Sequence, residues 1–146
     1  MTGWLQLTDE QRRTSIAQAA VVSGIAAKAI EKDWWVTLTL KALFESPYAK
    51  FFIFKGGTSL SKGWKLIERF SEDIDIALDP MAFGREYKTN PSHTYVKTLK
   101  KEGCAFTSTI LKEALEKQFI TLGIPQGTVT INAAEVPETI PDRDPQ

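Results

Sequence analysis

Apolar positions recur at helical spacing in three stretches of the chain, and short aromatic or β-branched runs lie between them. Thr8 followed by Asp9, Glu10 and Gln11 predicts a helix start. The hydroxyl caps free N–H groups, Gln11 completes a capping box, and the two acids suit the positive end of the helix dipole. Ile16, Ala19 and Ala20 continue this helix until Ser23-Gly24 interrupts it. Ile25, Ala29, Ile30, Trp34, Leu38 and Phe44 predict a second helix over about 25–44. Ser46-Pro47 ends it, because proline disfavours helix in the residue before it. Residues 51–54, Phe-Phe-Ile-Phe, are too aromatic and too few for a helix and predict a buried strand. Gly56-Gly57 ends that strand, and Thr58 or Ser59 is expected to cap a short helix through Leu66. A second strand is expected over 73–78, closed by Asp79-Pro80 and followed by a loop over 81–91. Ser92 predicts the cap of a helix reaching about Glu102, with Gly103 as its break. Phe106, Ile110, Leu111, Leu115 and Phe119 predict a third long helix over about 105–122, ended by Gly123. Gly-Thr-Val-Thr-Ile at 127–131 reads as a third strand.

Composition narrows this picture little. The chain has 146 residues, 42% hydrophobic and 25% charged, which are ordinary globular values and exclude the disordered and low-complexity classes. Eighteen basic residues balance eighteen acidic ones, so net charge points to no nucleic-acid or membrane partner. The single cysteine, Cys104, cannot form an internal disulfide and fits a reducing compartment. No segment reaches the ~18 uninterrupted apolar residues of a membrane span, so a soluble, cytoplasmic protein without a membrane partner is expected. Three of the seven prolines fall in 137–146, which predicts a Pro-rich tail or a truncated linker. The expected division is an N-terminal helical segment over 1–48, a core over 49–136 and that tail.

Local charge is more informative than the total. Residues 50–69 hold five basic side chains and one acid, whereas 71–79 hold four acids and no base. Such segregation suits a site that binds both metal cations and a polyphosphate. Within the acidic stretch, Asp73-Ile74-Asp75 on a strand places two carboxylates on one face, roughly 6–7 Å apart at the backbone, with Ile74, Ile76 and Leu78 facing a core. Like charges so placed repel unless a cation neutralises them. Oxygen-only donors suit Mg²⁺, which takes one or two carboxylates and completes its octahedron with phosphates and water. Upstream, Gly56-Gly57-Thr58-Ser59 allows the backbone to turn tightly and approach a ligand closely. The helix that follows offers N–H groups to a phosphate, and either hydroxyl is a further donor. The sequence is neither a Walker loop nor a dinucleotide-binding fingerprint.

An apolar strand, Gly-Gly-Thr/Ser, a short helix and Asp-x-Asp on the next strand together resemble the DNA-polymerase-β-like nucleotidyltransferase superfamily. More closely, KGGTSL followed by ERFSEDIDIAL is similar to the AbiEii/AbiGii nucleotidyltransferase toxins, through Lys55, Gly56, Gly57, Thr58, Arg69, Ser71, Asp73, Ile74 and Asp75. Glu31-Lys32-Asp33-Trp34 also looks like that family's N-terminal region. The resemblance implies an α+β polymerase-β-like core, with a small mixed sheet, flanking helices and the N-terminal helical segment. It implies transfer of a nucleotide from an NTP to an acceptor, an RNA such as a tRNA, by a toxin with a cognate antitoxin. Asp73 and Asp75 would hold two Mg²⁺ ions and be the catalytic carboxylates. Lys55, Gly56, Gly57, Thr58, Ser59 and Arg69 would seat the phosphates, and Ser71 would orient a carboxylate. Transfer to a small molecule, as in antibiotic-modifying relatives, or a catalytically inactive nucleotide-binding domain are the alternative readings. The superfamily's third carboxylate has no convincing counterpart here: Glu135 follows Asn132-Ala133-Ala134, which does not continue a strand. The chain is therefore expected to be an N-terminal fragment whose third acid lies past Gln146, with weak activity alone.

Other polar residues carry less. Asp33 falls on the apolar side of its helix, where a buried salt bridge or cap is favoured over a direct catalytic role. His93 is expected to be exposed, and without a second histidine or cysteine near it there is no zinc site. Cys104 suits a small core or junction position. Lys97, Lys100 and Lys101 form a basic helical face expected to be solvated rather than bound to RNA. Trp34 and Trp35 suit packing.

Overall fold

A computed structural model of the protein describes residues 2–66 and 73–134. Arg69, Ser71, Glu135 and the Pro-rich stretch lie outside the described residues. A 3₁₀ turn at Thr2–Gln6 leads into α1 (Asp9–Ser23). Thr8 accepts from the Gln11 amide while the Gln11 side chain accepts from the Thr8 N–H, forming the expected capping box. Gly24, at φ 70°, ends the helix in the left-handed conformation. Helix α2 (Ala27–Phe44) begins two residues later than the periodicity predicts and ends before Ser46-Pro47.

Helix α2 organises the core. Its Leu38 and Ala42, both fully buried, pack with Phe119 and Ile124, and around them gather Leu5, Trp34, Trp35, Leu115, Leu122, Val129 and Ile131. The tryptophans are packing residues: Trp34 lies 4.6 Å from Trp4 and 4.8 Å from Trp35 between ring centroids.

Strands β1 (Phe52–Lys55) and β2 (Asp75–Leu78) pair antiparallel, with Phe52 opposite Leu78 and Lys55 opposite Asp75. Residues directly opposite share a face. Phe52, Phe54, Ile76 and Leu78 therefore form the covered side, which meets Phe44 of α2 at about 6 Å between ring centroids. Ile53, Lys55, Asp75 and Ala77 form the other side, where Ile53 is 64% exposed. The first strand is thus covered on one face only, not buried as its aromatic run suggests, because a two-stranded sheet has helix packed against one side.

Three further expectations are corrected. The sheet among the described residues is two antiparallel strands, not a mixed sheet. Residues 127–131 form no strand: Val129 and Ile131 pack onto the core of Leu38, Ala42, Phe119 and Ile124 instead of pairing with β1 or β2. Gly103 does not break a helix. Capped by Ser92 as expected, α4 (His93–Phe106) runs through it and continues as a π-helical turn, Thr107–Leu111, into α5 (Lys112–Thr121). The Phe83 ring occupies the space beside Gly103, 3.7 Å from where a Cβ would lie, so tertiary packing outweighs the ~1 kcal/mol that glycine costs a helix. His93 is exposed, and Cys104 is a free, half-buried thiol.

Asp79 caps the 3₁₀ turn Pro80–Phe83, and the chain then passes to α4, where Arg85 donates two hydrogen bonds to Glu102, at 2.6 and 2.5 Å. The guanidinium bond holds the Glu102 carboxyl below its ordinary value near 4.5. A depressed carboxylate pKa adds stability above the unfolded value and loses it as pH falls through the folded one. Thermal stability is therefore expected to decline on acidification below about pH 4.5, and less steeply in Glu102→Gln. Melting curves from pH 6 to 3 check this, and parallel declines would remove the pair from the account.

Candidate nucleotide and metal site

Everything at the site hangs on the eight residues after β1. Helix α3 (Gly56–Thr58) continues as a π-helical turn, Ser59–Gly63. Gly56 has φ 75°, a left-handed conformation that glycine adopts without strain. The Asp75 carboxyl group packs onto it from the paired strand. A Cβ on Gly56 would lie 2.8 Å from Asp75 Cγ and overlap Oδ2. No other residue type leaves room for that carboxylate where it is.

Thr58 is fully buried, and its hydroxyl donates to the Asp73 backbone carbonyl. Ser59 Oγ donates to the Gly56 carbonyl at 2.9 Å. Neither caps the helix, contrary to the expectation from sequence; Lys55 stands at the N-cap with no side-chain cap bond. The hydroxyls shape the turn rather than point outward from it. Losing the Thr58 hydroxyl in Thr58→Val would leave the Asp73 carbonyl without its donor and is expected to cost about 1–3 kcal/mol. Urea unfolding measures this, and a loss below ~0.5 kcal/mol would show that the bond contributes little.

The ladder of β2 starts at Asp75, two residues later than expected, so Asp73 lies just ahead of the strand. Both aspartates are exposed. Lys55, also exposed, is directly opposite Asp75 on the same sheet face. The structure thus brings together Lys55, Gly56, Gly57, Thr58, Ser59, Asp73 and Asp75 around one turn. Arg69 and Ser71 belong to the same segment but lie outside the described residues.

Sequence reasoning missed one participant. Lys62, on the π-helical turn, reaches α2, with Nζ 2.7 Å from Asp33 Oδ1 and donating to Thr37 Oγ1 at 2.9 Å. Asp33 is accordingly in a salt bridge, half-buried rather than buried. Asp33 and Thr37, one helical turn apart, were the signal; the partner's position on another element was not in it.

Two exposed carboxylates, one seated on a glycine, are hard oxygen donors of the kind Mg²⁺ takes, and they fit such an ion. Among the described residues no group of three or more His, Cys, Asp or Glu forms a metal cluster. A family model described as "Nucleotidyl transferase AbiEii toxin, Type IV TA system" matches residues 39–143. The chain belongs to this family. The AbiEii match spans the strand, the Gly-Gly turn, both aspartates and the helices that follow, and it begins after Glu31-Lys32-Asp33-Trp34. Neither a curated protein nor a solved structure matches the chain. The helix-rich architecture with its small sheet is consistent with an α+β nucleotidyltransferase-like fold, and no helix of the described residues is long and apolar enough to cross a membrane.

Proposed function

We propose that this AbiEii-family protein is a Mg²⁺-dependent nucleotidyltransferase that moves a nucleotide from an NTP to an RNA acceptor such as a tRNA, acting as the cytoplasmic toxin of a toxin–antitoxin pair. The observation that carries the reading is the seating of the Asp75 carboxylate on Gly56, which joins the acidic strand to the Gly-Gly turn in one site. Family membership supports transferase chemistry and an antitoxin partner.

In this reading Asp73 and Asp75 hold the metal, two ions in the complete site. When bound, Mg²⁺ neutralises phosphate charge and polarises the α-phosphate. The first N–H groups of a helix have no acceptor within it, and Gly56 and Gly57 put no side chain of their own beside them, so the Asp75 carboxylate is the group that faces Gly56. Lys55, across the ladder from Asp75, places a positive charge beside the triphosphate. Arg69 offers a bidentate contact to the departing pyrophosphate, and Ser71 a hydrogen bond that orients a carboxylate. An acceptor hydroxyl gives up its proton to solvent and attacks the α-phosphorus, the bond to the bridging oxygen breaks, and pyrophosphate leaves with that electron pair.

Incubation with each NTP labelled at the α-phosphate, with cellular RNA and Mg²⁺, tests the reading. Label is expected in RNA and absent without Mg²⁺. Label on a small molecule instead would replace the acceptor, and nucleotide binding with no transfer to any acceptor would mark a binding domain.

A further inference from the structure

We propose that Lys62, Asp33 and Thr37 form a positioning device for this site, fastening the helix that locates both aspartates to α2; the inference rests on the reading of Asp73 and Asp75 as the metal-binding pair.

Three anchors lie on the same short helical segment, Gly56 to Gly63. At its start, Gly56 carries the Asp75 carboxylate. One half-turn on, Thr58 holds the Asp73 carbonyl. Near its end, Lys62 spans to α2 and binds Asp33 and Thr37. A rotation or slide of this segment moves the support under both carboxylates together. The third anchor decides where the segment sits relative to the core, because α2 is the helix whose Leu38 and Ala42 are fully buried.

The hydrogen bonds in the cluster have one consistent direction. Thr37 Oγ1 donates its only hydrogen to the Asp33 backbone carbonyl, at 2.7 Å, and so is left as an acceptor for Lys62. The ammonium donates to that oxygen and to the Asp33 carboxylate. Both acceptors are on one face of α2, a helical turn apart, which fixes the lysine head in two directions rather than one. The π-helical widening of Ser59–Gly63 is part of the same arrangement. Trp64 N donates to Ser59 O at 3.0 Å, the five-residue spacing that shifts side-chain directions relative to an α-helix. Such turns are frequent at functional sites. Lys62 is one-quarter exposed and points to α2, so it acts through the helix and not on a phosphate.

The test compares the wild-type chain with Lys62→Met, Lys62→Arg and Asp33→Asn, by amide exchange and by nucleotide titration with Mg²⁺. In Lys62→Met and Asp33→Asn, amides over 57–63 and 73–75 are expected to exchange on the order of tenfold faster, the scale of one lost charge-assisted bond, while α2 and α5 keep wild-type rates. Mg²⁺–NTP affinity is expected to fall by about the same factor, and Lys62→Arg, which keeps the charge and two donors, to restore both. Unchanged exchange over 57–63 in Lys62→Met would overturn the proposal. So would uniform acceleration across all helices, which marks a purely global stabilising role, and so would failure of Lys62→Arg to restore. If the wild-type chain binds no NTP, the nucleotidyltransferase reading fails, and the exchange arm still decides whether Lys62 fixes the helix.

Discussion

Asp75→Asn is expected to weaken Mg²⁺-dependent nucleotide binding by at least about a hundredfold, because even residues that only orient a metal ligand typically contribute ~10–100-fold. Asparagine keeps the shape and loses the charge. Asp75 is exposed at the first position of β2, so its replacement disturbs no core. The melting temperature is expected to stay within about 3 °C of wild type, as for surface substitutions generally. Asp73→Asn should act in the same direction. Its backbone carbonyl, not its side chain, is what Thr58 holds, so the substitution leaves that hydrogen bond in place. Titration calorimetry with Mg²⁺–NTP measures both variants, and wild-type affinity in Asp75→Asn would remove that residue from the site.

Gly56→Ala is expected to produce the second large effect, through two separable causes. At φ 75° an added Cβ meets the left-handed backbone penalty, about 1–2 kcal/mol. The same atom would occupy the place of the Asp75 carboxylate and drive it off the turn. Gly84→Ala separates the two. Gly84 has a similar φ of 77°, yet nothing lies within 4 Å of its would-be Cβ, so this substitution carries backbone strain alone. Both variants should lose about 1–2 kcal/mol of stability. Only Gly56→Ala should lose nucleotide affinity, to a degree approaching Asp75→Asn. Equal affinities in the two glycine variants would show that the close approach of Gly56 and Asp75 has no part in binding.

What was legible in the sequence and what was not follow from one distinction. Thr8 with Gln11, Ser92 before α4, and Gly24 and Gly123 after their helices are local signals, read within a few residues, and each stands where it was expected. Gly56-Gly57 was legible as the end of β1 for the same reason, whereas of Asp73-Ile74-Asp75, expected on a strand, only Asp75 lies in β2. Three other features depended on distant partners. The expected break at Gly103 was overridden by the Phe83 ring beside it, from a separate turn. The β-rich residues 127–131 had a core to cover rather than a strand to join. Thr58 and Ser59 have capping chemistry but sit inside the helix, because Gly56, with its left-handed φ, starts it earlier. The Lys62 bond to Thr37 joins residues twenty-five apart in sequence, with no pattern linking them until the chain folds. For Asp33 the sequence favours a buried salt bridge or a cap; the salt bridge is present, but half-buried, and its partner Lys62 lies on another element.

In the proposed reading, the Gly-Gly turn and the two aspartates form a single site for a metal-bound nucleoside triphosphate. This is tested most directly by titrating the wild-type chain with each of the four NTPs, with and without Mg²⁺. Saturable binding of at least one NTP in Mg²⁺, lost when the metal is chelated, is expected. Binding unaffected by Mg²⁺, or no binding of any NTP, would contradict it.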